Sequence, residues 1–167
     1  CGKCENICPV LHPKKSNSNS KEVFSVRASD KVRQTSSSGG VFSLIAHWIF
    51  QQNGIVCGAA FDENFQLKHI AIENEEELEK LKGSKYLQSN TEDIYKKIKD
   101  YLKENRVVLF VGTPCQVAAL YRITGRQDNL YTVDILCHGV PSQAVFTQYL
   151  NEIAAGREVT NVKFRDK

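Results

Sequence analysis

Apolar positions along the chain follow two periods. Val41, Leu44, Ile45, Trp48 and Ile49 recur at helical spacing and predict a helix over 41–52. Ile94, Ile98, Tyr101 and Leu102 mark a second packing stripe over 92–104, entered through Thr91 as its cap. Val145, Phe146, Tyr149, Leu150 and Ile153 mark a third over 142–154, and a further helix is expected over 115–123. Between them lie short continuous runs rich in β-branched and aromatic residues, at 55–61, 107–111 and 130–136. Such runs suit strands covered on both faces. Residues 66–72 read as a strand forming a hairpin with 55–61, 159–164 as a last strand, and 23–28 as a short strand candidate. Short helical pieces are expected at 31–34 and at 75–81, the second capped by Asn74 with acidic residues in its first turn, as the helix dipole prefers. The fold class is therefore α/β, a mixed sheet with helices on both faces, with right-handed crossovers linking the last three strands.

Two of these strands run into cysteines. The run 107–111 breaks at Gly112-Thr113-Pro114, so Cys115 falls in the first turn of the next helix. The run 130–136 delivers Cys137, followed by His138-Gly139-Val140-Pro141. If the strands are parallel neighbours, both thiols face the crevice at the carboxyl ends of the sheet, where α/β proteins bind ligands. Free N–H groups at a helix start stabilise a thiolate, the form required of a metal ligand or a redox thiol. The alternative is that both cysteines are small buried hydrophobes.

The six cysteines then change the picture of the amino terminus. Cys1-Gly-Lys-Cys4-Glu-Asn-Ile-Cys8-Pro9 matches the last three cysteines of the bacterial ferredoxin run C-x2-C-x2-C-x3-C-P. The proline after Cys8 favours an iron–sulfur segment over a zinc knuckle. Residues 1–13 are thus read as a partial ferredoxin-like 4Fe–4S segment, and 14–22, with its SNSNS run, as a linker from which that segment sits apart. Residues 23–167 form the α/β domain. The metal-like spacing argues against a disulfide scaffold and for a reducing, cytoplasmic setting. A net charge of +3, with Lys and Arg spread along the chain, gives no nucleic-acid face. No apolar run reaches membrane-spanning length.

Two further stretches could hold an anion. Ser36, Ser37, Ser38, Gly39 and Gly40 precede the 41–52 helix, where free N–H groups and hydroxyls make a phosphate site; a plain serine cap is the alternative. Gly83, Ser84, Lys85 and Tyr86 offer a lysine for a phosphate and an aromatic ring for stacking; an ordinary surface loop is the alternative. Cys57 is read as a core residue, His47 as a surface or packing histidine, and His69 as a sheet-face residue of undetermined role.

With these residues in hand, the chain resembles the family of coenzyme F(420) hydrogenase/dehydrogenase beta subunits. The resemblance is carried by CGKCENICP, SSSGGVFS, GAAFDENF, GSKYLQS, VLFVGTPCQVAAL, YTVDILCHGVPS and VKFRDK. It implies an iron–sulfur flavoprotein oxidoreductase that uses FAD and 4Fe–4S clusters. Electrons would pass between the clusters, the flavin and a hydride carrier or small-molecule acceptor. It implies metal ligation by Cys1, Cys4, Cys8, Cys115 and Cys137, with a further C-x2-C pair completing the second cluster. It implies flavin contacts from Ser37, Ser38, Gly39, Gly40, Ser84, Lys85 and Tyr86. It also implies that the partner is a redox protein or another hydrogenase or dehydrogenase polypeptide. No cysteine follows Cys137, and the first cysteine of the ferredoxin run is missing, so the chain reads as a fragment cut at both ends. The second reading is a non-catalytic iron–sulfur or zinc-stabilised partner subunit, and the third a thiol–disulfide enzyme acting through Cys115.

Overall fold

In the computed structural model, residues 2, 5, 6, 8, 11, 12, 22–91 and 93–165 are described. A four-stranded sheet is the centre of the fold, in the order β2-β1-β3-β4. Its strands are β1 (Ile55–Phe61), β2 (Leu67–Ile72), β3 (Val108–Gly112) and β4 (Leu130–Asp134). β2 runs antiparallel to β1, which pairs parallel with β3, which pairs parallel with β4.

The helices that accompany the sheet are α1 (Asp30–Gln34), α2 (Val41–Phe50), α3 (Leu78–Leu81), α4 (Ile94–Lys103), α5 (Pro114–Thr124) and α6 (Gln143–Ala154). A 3-10 turn over Glu75–Glu77 leads into α3, and the Asn74 side chain accepts from the Glu77 N–H at 3.1 Å. The strands alternate their side chains between two cores, as the pleat requires. On one face Ile55, Cys57, Val108, Phe110 and Leu130 pack against Ile94 and Ile98 of α4 and Val117 and Leu120 of α5. On the other, Val56, Ala60, Ile72 and Leu109 pack against Ala46 and Ile49 of α2 and Leu78 and Leu81 of α3. The mixed sheet with helices on both faces is the architecture expected. Cys57 is fully buried, and burial pushes its thiol up, so it is a neutral core residue.

Three expected strand assignments need correction. Residues 159–164 form no strand. Their alternation is used for packing instead: Val162 and Phe164 close a satellite core around Leu67, Leu87 and Phe146. Residues 23–28 form no strand either; Val23, Phe24 and Val26 are exposed, and the segment is tied down where the Ala28 N–H donates to the Gly39 carbonyl at 2.7 Å. β4 stops at Asp134 rather than at residue 136, because its partner β3 ends at Gly112, opposite Asp134, and turns into α5. The crossovers therefore link β1, β3 and β4.

Cys1, Cys4 and most of the linker lie outside the described residues. The described parts of the amino-terminal segment do not stand apart. Arg122 of α5 donates to the carbonyls of Asn6, at 2.9 Å, and His12.

Candidate functional site

Parallel pairing of β3 with β4 brings the two cysteine turns side by side. Gly112 and Asp134 are register partners, and Cys115 and Cys137 each lie three residues further on. Both thiols are free and exposed, and the free thiol of Cys8 belongs to a half-buried residue. Among the described residues no group of three or more His, Cys, Asp or Glu side chains is placed to hold a metal ion. Cys115 and Cys137 thus place two exposed thiols at matched strand ends.

Beside them opens a cavity of about 770 Å³. That is the size of a site for a large cofactor. It sits at the carboxyl ends of β1 and β3, the position at which open α/β sheets bind ligands. The two stretches singled out for anion binding meet on its wall. Ser37, Ser38, Gly39 and Gly40 line it from the start of α2, and Ser84, Lys85 and Tyr86 from the loop after α3. The Ser84 hydroxyl lies 3.4 Å from that of Ser37, so the two segments touch. Cys137 lines the cavity as well; Cys115 does not, but Thr113 does, and its hydroxyl lies 3.1 Å from the Cys115 sulfur.

Gly40 is the residue that shapes the turn into α2. It caps α2 in the left-handed region, at φ 78°, and a Cβ there would come within 3.0 Å of the Ala28 Cβ. Only glycine takes this conformation without strain. The turn leaves the first N–H groups of α2 without helical acceptors, at the wall of the cavity.

Lys85 is held differently from a free phosphate-binding lysine. Its ammonium donates to the carbonyls of Leu81, Lys82 and Gly83 at 3.2, 2.7 and 3.4 Å. These are the free carbonyls at the end of α3, where a cation is favoured. Burial pushes the amine down to about 8. Tyr86 is half exposed and meets Phe164 edge-on, with ring centroids 5.7 Å apart.

The cavity floor holds a group of residues that sequence reasoning left unassigned. His69 of β2 is buried and stacks on Phe110, with ring centroids 5.0 Å apart. Its Nε2 lies 3.0 Å from the Val111 carbonyl and its Nδ1 3.0 Å from the Ser89 hydroxyl. Gln116 Nε2 donates to Ser89 Oγ at 2.8 Å, and Gln116 Oε1 accepts from the Thr113 N–H at 3.0 Å. Burial pushes the His69 imidazole down to about 4. Ser89 reaches His69 because residues beside it run along β2: the His69 N–H donates to the Asn90 carbonyl, and the Asn90 N–H to that of Leu67, both at 2.8 Å. The spacing Thr113-x-x-Gln116 is a capping-box signature and would have found Gln116. Nothing in the sequence pairs Ser89 with His69.

The fold and site together define an α/β protein with a cofactor-sized crevice bordered by a serine–glycine helix start and by cysteine-bearing turns. Two family models for the beta subunit of coenzyme F420 hydrogenase/dehydrogenase match the chain, the amino-terminal one over residues 23–96 and the carboxyl-terminal one over residues 105–167. The chain belongs to this family. It is 26% identical over 143 residues to one of the subunits of the F(420)H(2) dehydrogenase of Methanosarcina mazei, a match covering 82% of this chain and 40% of that protein. It is 29% identical over 142 residues to an uncharacterized protein of Methanocaldococcus jannaschii, covering 78% of this chain and 38% of that one. The chain thus spans about two fifths of the length of these curated relatives. It shares its fold, with a TM-score of 0.60 and 21% identity, with a chain of the F420-reducing [NiFe] hydrogenase complex from Methanosarcina barkeri, covering 81% of this chain and 53% of that one. Among the described residues no helix is long and apolar enough to cross a membrane.

Proposed function

We propose that the chain is the flavin- and cluster-binding part of an iron–sulfur oxidoreductase that passes electrons between FAD, 4Fe–4S clusters and a hydride carrier or small-molecule acceptor. The observation that carries this reading is the convergence of the α2 start and the Ser84–Tyr86 loop on one cavity that Cys137 also lines. The residues present fit a flavin dinucleotide. Free N–H groups at α2 with Ser37 and Ser38 suit a pyrophosphate, and the cavity is large enough for the ring system. They fit a 4Fe–4S cluster in part, since Cys115 and Cys137 provide two of four thiolates. Bound flavin supplies the chemistry that connects a two-electron hydride to one-electron carriers.

The chain's own residues bind and orient. Gly40 lets the backbone approach the phosphates, and Ser37 and Ser84 donate at the wall. Lys85 places positive charge beside them, drawn in by the α3 carbonyls. Cys115 and Cys137 hold iron on the adjoining turns, close to the same cavity through Thr113. Cys8 belongs to the second iron-binding segment, which Arg122 fastens to α5. The partners that follow are a redox protein, or another polypeptide of a hydrogenase or dehydrogenase, and a small hydride carrier, in a reducing cytoplasmic compartment.

Separate variants test the two cofactors in the anaerobically purified natural protein. Gly40→Ala is expected to lower bound flavin while iron content stays; Cys137→Ser is expected to lower iron while flavin stays. Loss of neither flavin nor iron in these variants would contradict the assignment.

A further inference from the structure

His69, Ser89 and Gln116 close a hydrogen-bond chain whose two ends are backbone groups on either side of Gly112. A carbonyl only accepts, so the Val111 carbonyl fixes the proton of His69 on Nε2. His69 Nδ1 then carries the lone pair, and the Ser89 hydroxyl must donate to it. Ser89 Oγ is left to accept from the Gln116 amide nitrogen. The backbone N–H of Thr113 only donates, which turns Gln116 Oε1 toward it. Each proton position follows from its neighbour, and all donors point the same way, from Thr113 to Val111. Such chains strengthen along their length.

This arrangement decides between two roles. A relay needs an end that exchanges protons with ligand or solvent. Here both ring nitrogens of His69 are committed, and both ends of the chain terminate on main-chain groups. The chain holds rather than transfers. What it holds is the turn from β3 into α5, and Thr113 of that turn touches both the cavity and the Cys115 sulfur. Gly112 is part of the same device: a Cβ there would lie 2.9 Å from Gln116 Oε1 and 2.9 Å from the Phe110 ring.

We infer that His69, Ser89 and Gln116 are positioning residues that lock the Gly112–Cys115 turn, and thereby set where the Cys115 sulfur stands beside the cofactor cavity. This rests on the proposed role of Cys115 as an iron ligand. The test uses the full natural protein with Ser89→Ala, which cuts the chain at its middle, and Ser89→Thr, which restores the hydroxyl. His69→Gln serves as a second cut, should Ser89→Ala fold poorly. Two readouts are taken: amide hydrogen exchange at Thr113, and the electron paramagnetic resonance signal of the reduced cluster.

Ser89→Ala should raise Thr113 exchange about tenfold, the ratio that follows from roughly 1.4 kcal/mol of lost local protection. It should alter the resonance signal while exchange in β1 stays as in the parent, and Ser89→Thr should restore both. The inference is overturned if Thr113 exchange is unchanged in both cutting variants, or if exchange rises equally throughout the sheet. If the parent protein holds no iron, the ligand role of Cys115 falls, and exchange at Thr113 alone still decides whether the chain locks the turn.

Discussion

At the residue scale the site is defined by groups whose ordinary behaviour the fold has changed. His69 titrates near 6.5 in an unfolded chain and at about 4 here, because burial disfavours its charged form. Between these values the unfolded state binds more protons than the folded one, so stability is full above pH 6.5 and falls as the pH drops toward 4. The loss reaches about 3 kcal/mol from this group. Urea unfolding at stepped pH should show this slope in the parent and a flatter one in His69→Gln. Lys85 behaves in the opposite range. With its amine near 8, it loses positive charge as the pH rises through that value, and the affinity of the cavity for an anionic ligand should fall there. Isothermal titration with FAD at pH 7 and pH 9 measures it, with Lys85→Gln expected to remove the difference. Gly112→Ala should cost roughly 1–3 kcal/mol by forcing Gln116 or Phe110 aside; an unchanged urea midpoint would contradict the packing described.

Element by element, the sequence was most legible where hydrophobic period and turn chemistry agree. The helix stripes at Val41–Phe50 and Ile94–Lys103 and the apolar runs of β1 and β3 each have one way to bury their surface. The Ser–Gly and Gly-Ser-Lys-Tyr stretches were legible as candidates, but their meeting on one cavity is a contact between residues 47 apart, which no local pattern encodes. Residues 159–164 misled because alternation describes burial, not pairing: Phe164 stacks with Phe61 and contacts Phe146 without joining a ladder. His69 was ambiguous for a related reason, since its partners come from a loop 20 residues away and from β3. The satellite core carries its own prediction. Phe146 is buried against Phe61 and Phe164, and Phe146→Ala should cost about 3 kcal/mol and loosen α6 from β2. Gln143 adds a polar tie, accepting from the Leu67 N–H at 3.0 Å and donating to the Phe65 carbonyl at 2.9 Å. Denaturation with proteolysis of α6 as a second probe would show the loosening.

For the molecule as a whole, the cysteine-bearing turns and the amino-terminal segment share a common frame. β3 and β4 carry Cys115 and Cys137 on adjacent turns, and α5, which starts at Pro114 and Cys115, reaches the amino-terminal segment through Arg122. α5 thus joins the turn beside the cavity to the segment that carries Cys8. The central claim is that this frame holds flavin and iron together. The most direct measurement is the visible absorption spectrum of the anaerobically purified natural protein, taken with iron and acid-labile sulfide assays. The account predicts flavin bands over a broad iron–sulfur absorption, with iron and sulfide in equal amounts. A colourless protein free of both, or one that binds zinc without flavin, would contradict it.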